Sequence, residues 1–447
     1  MDTEKQTFWS DNRLTIKGFI VGFLIIAMMI PAVFVSVLVS ERKARQNEVI
    51  KEVSSKWASA QTIGGPFIAI PYKEIMTTSE GKQVEMKKWA TFLPDQLKVS
   101  GNLKPEARYR SIFTIMVYQG DIKLQGFFAP IVLSNINLSK DDLILEEAQL
   151  CIGISDFRGI ENALQIHWND TTYDFNAGLP DIKSIEQGLS VPVKLSRTDL
   201  DKPHRYSMQI NLKGSEQLHF IPLGKTTEVN LTSSWNNPAF DGNFLPDSRT
   251  VNDSGFTAGW KVLHLNRPYP QEWKDRTFDL ENSSFGVNLL QTGDSYSKTE
   301  RSVKYALLFV TLTFLLYFFV EILQKRKVHP LQYVLVGLAI SIFYTLLLSI
   351  SEYLGFNAGY IIAASATVLL ITAYTKSIFS EWKIVAVFFM VLAAMYGFIF
   401  VLIQLQDGAL LFGSIGLFII LAIVMFYSRK IEWYNRPVAA SGASAVV

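Results

Sequence analysis

Hydrophobic residues are laid out in two ways along this chain. Near the N-terminus and over the last third they run without interruption, and in between they recur at every second position. The uninterrupted runs cover 16–39, 303–323, 331–351, 358–375, 384–403 and 409–427. A helix of about 20 residues spans the roughly 30 Å apolar core of a bilayer, so each run is expected to be a membrane helix. The first is too long for a secretory signal and lacks a small-residue cleavage site, which predicts an uncleaved anchor kinked at Pro31. In "HPLQY", Pro330 is expected to open the third helix, where its missing N–H costs nothing. The pairs Gly359/Ala363 and Ala393/Gly397 are expected at helix contacts, because small residues let backbones approach.

The insert between the first two runs, 40–302, begins with a helical stripe, Val49, Val53 and Trp57, that would extend the anchor helix. The period then changes to two. "IFTIMVYQGDIKLQGFF" alternates with an expected turn at Gly120-Asp121, and "LQIHWNDTTYDF" is expected to turn at Asn169-Asp170. "YSMQINLKGSEQLHF" is expected to turn near Gly214, and "TEVNLTSSW" adds a strand. Short strands between Gly, Asn and Asp turns predict an antiparallel β region, of one domain or two. The fold class is therefore a polytopic α-helical membrane protein with a large β-rich region between its first and second helices.

Composition agrees. Of 447 residues, 49% are hydrophobic and 18% charged, with a mean hydropathy of +0.21, whereas soluble chains carry about 25% charged residues. Orientation follows from the short loops, because Lys and Arg collect on the cytoplasmic side. One set of flanks holds Lys5, Arg13, Lys17, Lys325, Arg326, Lys327, Lys376, Lys383, Arg429, Lys430 and Arg436, while "EYLGFN" and "QLQDG" hold none. This predicts cytoplasmic tails at 1–15 and 428–447 and places 40–302 outside the cytoplasm. Arg42, Lys43 and Arg45 run against the rule, but they begin a long translocated segment, where it is weak. A net charge of +2 without a basic, aromatic-rich cluster argues against nucleic acid. The single cysteine, Cys151, excludes an internal disulfide and is expected to be buried.

The stretch "FDGNFLPDSRTVNDSGFTAGW", from Phe240 to Trp260, is the densest in polar chemistry. It lacks the ligand spacing of an EF-hand, and no G-x-S-x-G elbow occurs in the chain. Pro246, Asp247, Asp253 and Gly255 read as turns; the alternative is a recognition surface of Phe244, Arg249 and Trp260. The five histidines are scattered, phosphate-binding motifs are absent, and four S-x-x-K matches, Ser79/Lys82 among them, lack the partners of an acyl-enzyme. No catalytic residue, metal or cofactor is expected. Charges near lipid are costly and so informative. Glu321 can pair with Lys325 four residues on, and Glu352 shares a helical face with Ser341, Thr345 and Ser349, a polar stripe for helix contacts or for a small aqueous cavity. The runs hold no acid or base at mid-bilayer, which counts against a proton-coupled transporter.

"GGPFIAIP", "DFRGI", "GNFLPDSR", "SGFTAGW", "TERSVKYALLF", "HPLQYVLVGL", "SEYLGF" and "RKIEWY" together resemble the CreD (Cet) inner-membrane protein family of Gram-negative bacteria. The resemblance spans nearly the whole chain. It implies a polytopic inner-membrane protein with a large periplasmic domain, linked to a two-component regulatory system, to envelope integrity and to tolerance of colicins and β-lactams. It brings no biochemical activity and no catalytic residues. The first reading is a non-enzymatic protein whose periplasmic β domain binds an envelope protein or cell-wall component, with membrane lipids around its helices. The alternative is a transporter or lipid-handling protein that works through its last five helices.

Overall fold

The computed structural model describes residues 13–77, 83–182, 184–274, 276–289, 295–324, 326–405 and 408–429. Lys325, the Ser79/Lys82 pair and most of both tails lie outside the described residues. The chain forms two compact units, one from Met1–Arg45 with Gly293–Val447 and one from Gln46–Thr292.

Among the described residues six helices are long and apolar enough to cross a membrane. The first is interrupted at Met28, between α1 (Arg13–Ala27) and α2 (Met29–Trp57). That break falls one turn before Pro31, whose ring crowds the carbonyl four residues back and offers it no N–H. An amphipathic helix that the hydrophobic pattern did not announce, α3 (Ser295–Lys304), precedes α4 (Ala306–Leu323). The hairpin that follows is as expected: His329 caps α5 (Pro330–Leu354), its Nδ1 accepting from the Leu331 N–H at 3.2 Å, with Pro330 in the first turn.

The unit closes with α6 (Phe356–Ile378), α7 (Trp382–Gln404) and α8 (Ala409–Ser428). Its interior is aromatic, with Phe309, Phe343, Tyr344 and Tyr396 packed ring against ring. Gly359 lies against the backbone of Ser351, where a Cβ would come within 2.9 Å of its nitrogen, and Ala363 is buried. The second small-residue pair does not make a contact. Ala393 and Gly397 are exposed, because their face of α7 points away from the neighbouring helices.

The second unit is a pair of sheets. One contains β1 (Gln61–Thr77), β2 (Gln83–Phe92), β5 (Gln149–Ile154), β8 (Asn176–Ala177), β9 (Gly188–Pro192), β11 (Gln217–Ile221), β13 (Pro238–Gly242), β16 (Glu272–Lys274) and β17 (Phe285–Leu289). The other runs β14 (Ser248–Asn252), β15 (Gly255–Leu263), β12 (Thr226–Ser233), β3 (Gln96–Arg110), β4 (Phe113–Phe128), β10 (His204–Ser215), β6 (Gln165–Trp168), β7 (Thr171–Asp174). One hydrophobic core joins the sheets: Ile68 and Ile70 of the first meet Val99, Leu124, Ile210 and Val229 of the second. The question of one domain or two is thereby answered as one.

Phe67, Ala69 and Cys151, on the opposite face of the first sheet, enter a second cluster with Tyr269, Trp273 and Leu280. That sheet is covered on both faces, so "PFIAI" is apolar without alternation. Arg267 pins this cover from within. Its guanidinium donates to the carbonyls of Tyr269 at 2.8 Å and Pro270 at 3.1 Å, and burial pushes its pKa down to about 10. The second sheet has one wet face, and its strands alternate as expected.

Three expectations are corrected. Pairing is not wholly antiparallel, since β1 runs parallel to β11 and β3 to β12. Such pairs need long crossovers, which turn residues do not mark. Gly120-Asp121 is not a turn, because β4 continues through it. Gly120 instead makes room for Leu103, whose Cδ2 would lie 3.1 Å from an added Cβ. Near Gly214 the chain turns at Glu216, with φ +62, and passes from one sheet to the other instead of forming a hairpin.

Candidate functional site

The Phe240–Trp260 stretch folds as β13, a loop, β14, a turn and β15. Phe256, Ala258 and Trp260 alternate inward, and Trp260 is only 3% exposed, its Nε1 donating to the Phe244 carbonyl at 3.2 Å. Phe244 is half-buried and packs edge-on against Phe285. Of the alternative, a recognition surface, the structure leaves only Arg249 exposed, because Trp260 is in the core and Phe244 packs against it. Arg249 is exposed on the edge strand β14, opposite Ala258. A charge on an edge strand discourages pairing with another chain. Gly255 takes the positive φ expected of it, +136, but the acids are not used as read. Asp247 accepts from the Lys261 N–H across the strands at 2.7 Å, and it is Asn252 that accepts from the Ser254 N–H two residues on, at 3.0 Å.

Asp241 in this stretch has a further contact. Its Oδ1 lies 2.7 Å from Nε2 of the buried His219, and its Oδ2 accepts from Asn288 at 2.5 Å. Burial lowers the His219 pKa, and Asp241 only partly restores it. Elsewhere in the unit, Asp156 of "DFRGI" accepts from the Ser59 N–H at 2.8 Å and from Arg158 Nη2 at 2.7 Å. Burial raises its pKa, but these donors outweigh burial and hold it below the usual carboxylate range. The Arg158 guanidinium also donates to the Ser55 carbonyl in the last turn of α2.

Among the described residues Glu321 pairs with Lys17 of the first helix; the expected partner Lys325 lies outside the described residues. Its carboxylate also accepts from the Val328 N–H at 2.9 Å and from the Tyr333 hydroxyl at 3.1 Å. A contact across 304 positions leaves no local sequence signal. Glu352 accepts from the Tyr296 hydroxyl at 2.9 Å, and Arg42 Nε lies 3.8 Å away. The stripe above it does not line an interior path. Ser341 is buried and donates to the Gly337 carbonyl at 3.0 Å, while Thr345 and Ser349 face outward. Each four-residue step turns a helix by about 40°, which carries these two off the buried face.

The feature that best fits a binding site was missed from sequence. A groove of about 530 Å³ lies on the wet face of the second sheet, a size common among ligand sites. Cross-strand register builds it. Lys98, Gln125, Ser207 and His167 stand side by side on β3, β4, β10 and β6. In the next row stand Gln96, Phe127 and Arg205. Asn169 closes one end. Its Oδ1 accepts from the Arg205 N–H and its own N–H donates to the Arg205 carbonyl, both at 2.9 Å. Asn169 has φ +51, so the β6–β7 turn expected from sequence is what aims it. Among the described residues the side chains of Gln96, Gln125, Ser207 and Arg205 make no hydrogen bond or ion pair. Lys98 is 3.5 Å from Glu228. No three His, Cys, Asp or Glu side chains come together as a metal site among the described residues. The only advance signal was alternation, which puts polar residues on one face without saying which strands meet.

Two comparisons place the chain. A family model described as "Inner membrane protein CreD" matches residues 13–434. The inner membrane protein CreD of Escherichia coli (strain K12) is 32% identical over 430 residues, covering 95% of this chain and 94% of that protein. Both descriptions give a location and no reaction.

Proposed function

Because the chain belongs to the CreD family of multi-pass inner-membrane proteins, we propose that it is a non-enzymatic binding protein of the cell envelope. Its β unit faces the periplasm and captures an envelope component, and its helices hold that unit at the membrane. The groove on the second sheet carries the reading, because it gathers polar groups with free valences on a surface that the core does not need. The Lys and Arg bias of the short loops supports the orientation. With the family resemblance, the reading extends to a role in envelope integrity and in altered tolerance of colicins and β-lactams, and to a link with a two-component regulatory system.

Orientation is checked by thiol labelling in intact spheroplasts. Cys151 is buried, so an impermeant reagent reports only introduced cysteines. Ser100→Cys, on the wet face of β3, should label and Gln324→Cys should not; the reverse pattern overturns the topology. Function is checked with Arg205→Glu, which should reach the membrane at wild-type level yet fail to restore β-lactam and colicin responses to a deletion strain. Full restoration would remove the groove from the function.

A further inference from the structure

We propose that the groove binds an acidic glycan, a short run of sugar rings that carries carboxylates. The inference rests on the reading that the β unit binds an envelope component, and it names the chemical class of that component.

The lining sets the class. Gln96 and Gln125 carry amides, which donate and accept at once, as sugar hydroxyls and acetamido groups require, while the Asn169 amide, held by the Arg205 N–H and by His204 at 2.9 Å each, frames the end of the groove. Ser207 adds a hydroxyl of the same kind. The exposed Phe127 ring offers an apolar face for a sugar ring among these polar groups. Arg205 has no carboxylate partner among the described residues, and its planar fork matches a carboxylate in two-point contact. His167 also lines the groove, its ring held by Thr172 Oγ1 at 2.8 Å from Nδ1. The row from Lys98 to His167 crosses three strand intervals, roughly 14 Å, long enough for more than one ring.

Other ligands fit less well. A peptide that adds to a sheet needs an open edge, and β3, β4 and β10 are each paired on both sides. Single-stranded nucleic acid needs stacked aromatic platforms and a basic track, whereas the groove holds one exposed ring. A lipid tail needs an apolar lining. A lone inorganic anion would engage Arg205 and Lys98 and leave the amide row unused.

The test uses the full-length protein in detergent micelles and isothermal calorimetry. The first probe is the disaccharide N-acetylglucosaminyl-N-acetylmuramic acid, which carries the free lactyl carboxylate of cell-wall glycan stripped of its peptides. The second is a delipidated lipopolysaccharide core oligosaccharide, the other acidic glycan of the envelope. Di-N-acetylchitobiose supplies similar rings without the carboxylate, and inorganic phosphate supplies charge without rings. The expected result is that one acidic glycan binds at least tenfold more tightly than chitobiose and phosphate, and which of the two does so identifies the source. Arg205→Ala should weaken that binding at least tenfold, and Arg205→Lys should recover part of it. Arg205 is exposed, and an unchanged melting temperature confirms that its variants fold. Equal binding of chitobiose, binding indifferent to Arg205→Ala, or no binding of either acidic probe overturns the proposal. If the probes fail while Arg205→Glu still fails to complement, only the ligand class is wrong. If Arg205→Glu complements as well, the binding role of the groove falls with it.

Discussion

The two sheets of the β unit share one core but are built to different rules. The first is sealed on both faces, by Ile68 and Ile70 toward the sandwich and by Phe67, Ala69 and Cys151 toward its outer cover. The second is sealed on one face and wet on the other, where its residues are free of packing. A sealed sheet constrains every position, and a half-sealed one constrains every second position. Binding chemistry can therefore be changed on the second sheet with little effect on the fold, and the groove lies there.

The largest test of this contrast pairs one substitution in each sheet. Ile68→Ala removes a fully buried side chain and should destabilise the β unit by about 2–5 kcal/mol. Gln125→Ala, on the wet face, should stay within about 0.5 kcal/mol. Melting of the solubilised full-length protein, followed by tryptophan fluorescence, compares them; equal losses would erase the distinction between the sheets. A smaller effect sharpens it, because the sealed sheet holds a titrating group. Burial keeps the folded pKa of His219 below the ordinary imidazole value of about 6.5. The unfolded chain therefore takes up the proton first, and stability falls as pH drops from 6.5 toward the folded pKa. Above 6.5 the group is neutral in both states and contributes no slope. His219→Gln should flatten stability across that window, and an unchanged slope would assign it to other groups.

Much of this organisation was legible in advance. The lengths of the apolar runs announced the membrane helices, and the alternation of "YSMQINL" announced a strand with one wet face. The same alternation in "GFTAGW" would have turned Trp260 inward, had parity been weighed above its polar neighbours. The rest depends on contacts distant in the chain. Gln96, Gln125, His167 and Arg205 come from four strands, and only register makes them neighbours. Parallel pairing leaves no turn motif, and Gly120 looks like a turn residue until its neighbours are known.

The ion pair between Lys17 and Glu321 constrains the timing of synthesis. The two residues are 304 positions apart. At about 5–20 residues per second, roughly 15–60 s separate their emergence from the ribosome. Throughout that interval the first helix lacks the carboxylate that will hold its lysine, while the whole β unit is made. When Glu321 arrives its carboxylate has a partner already in place, and the helix made first becomes the mooring for those that follow.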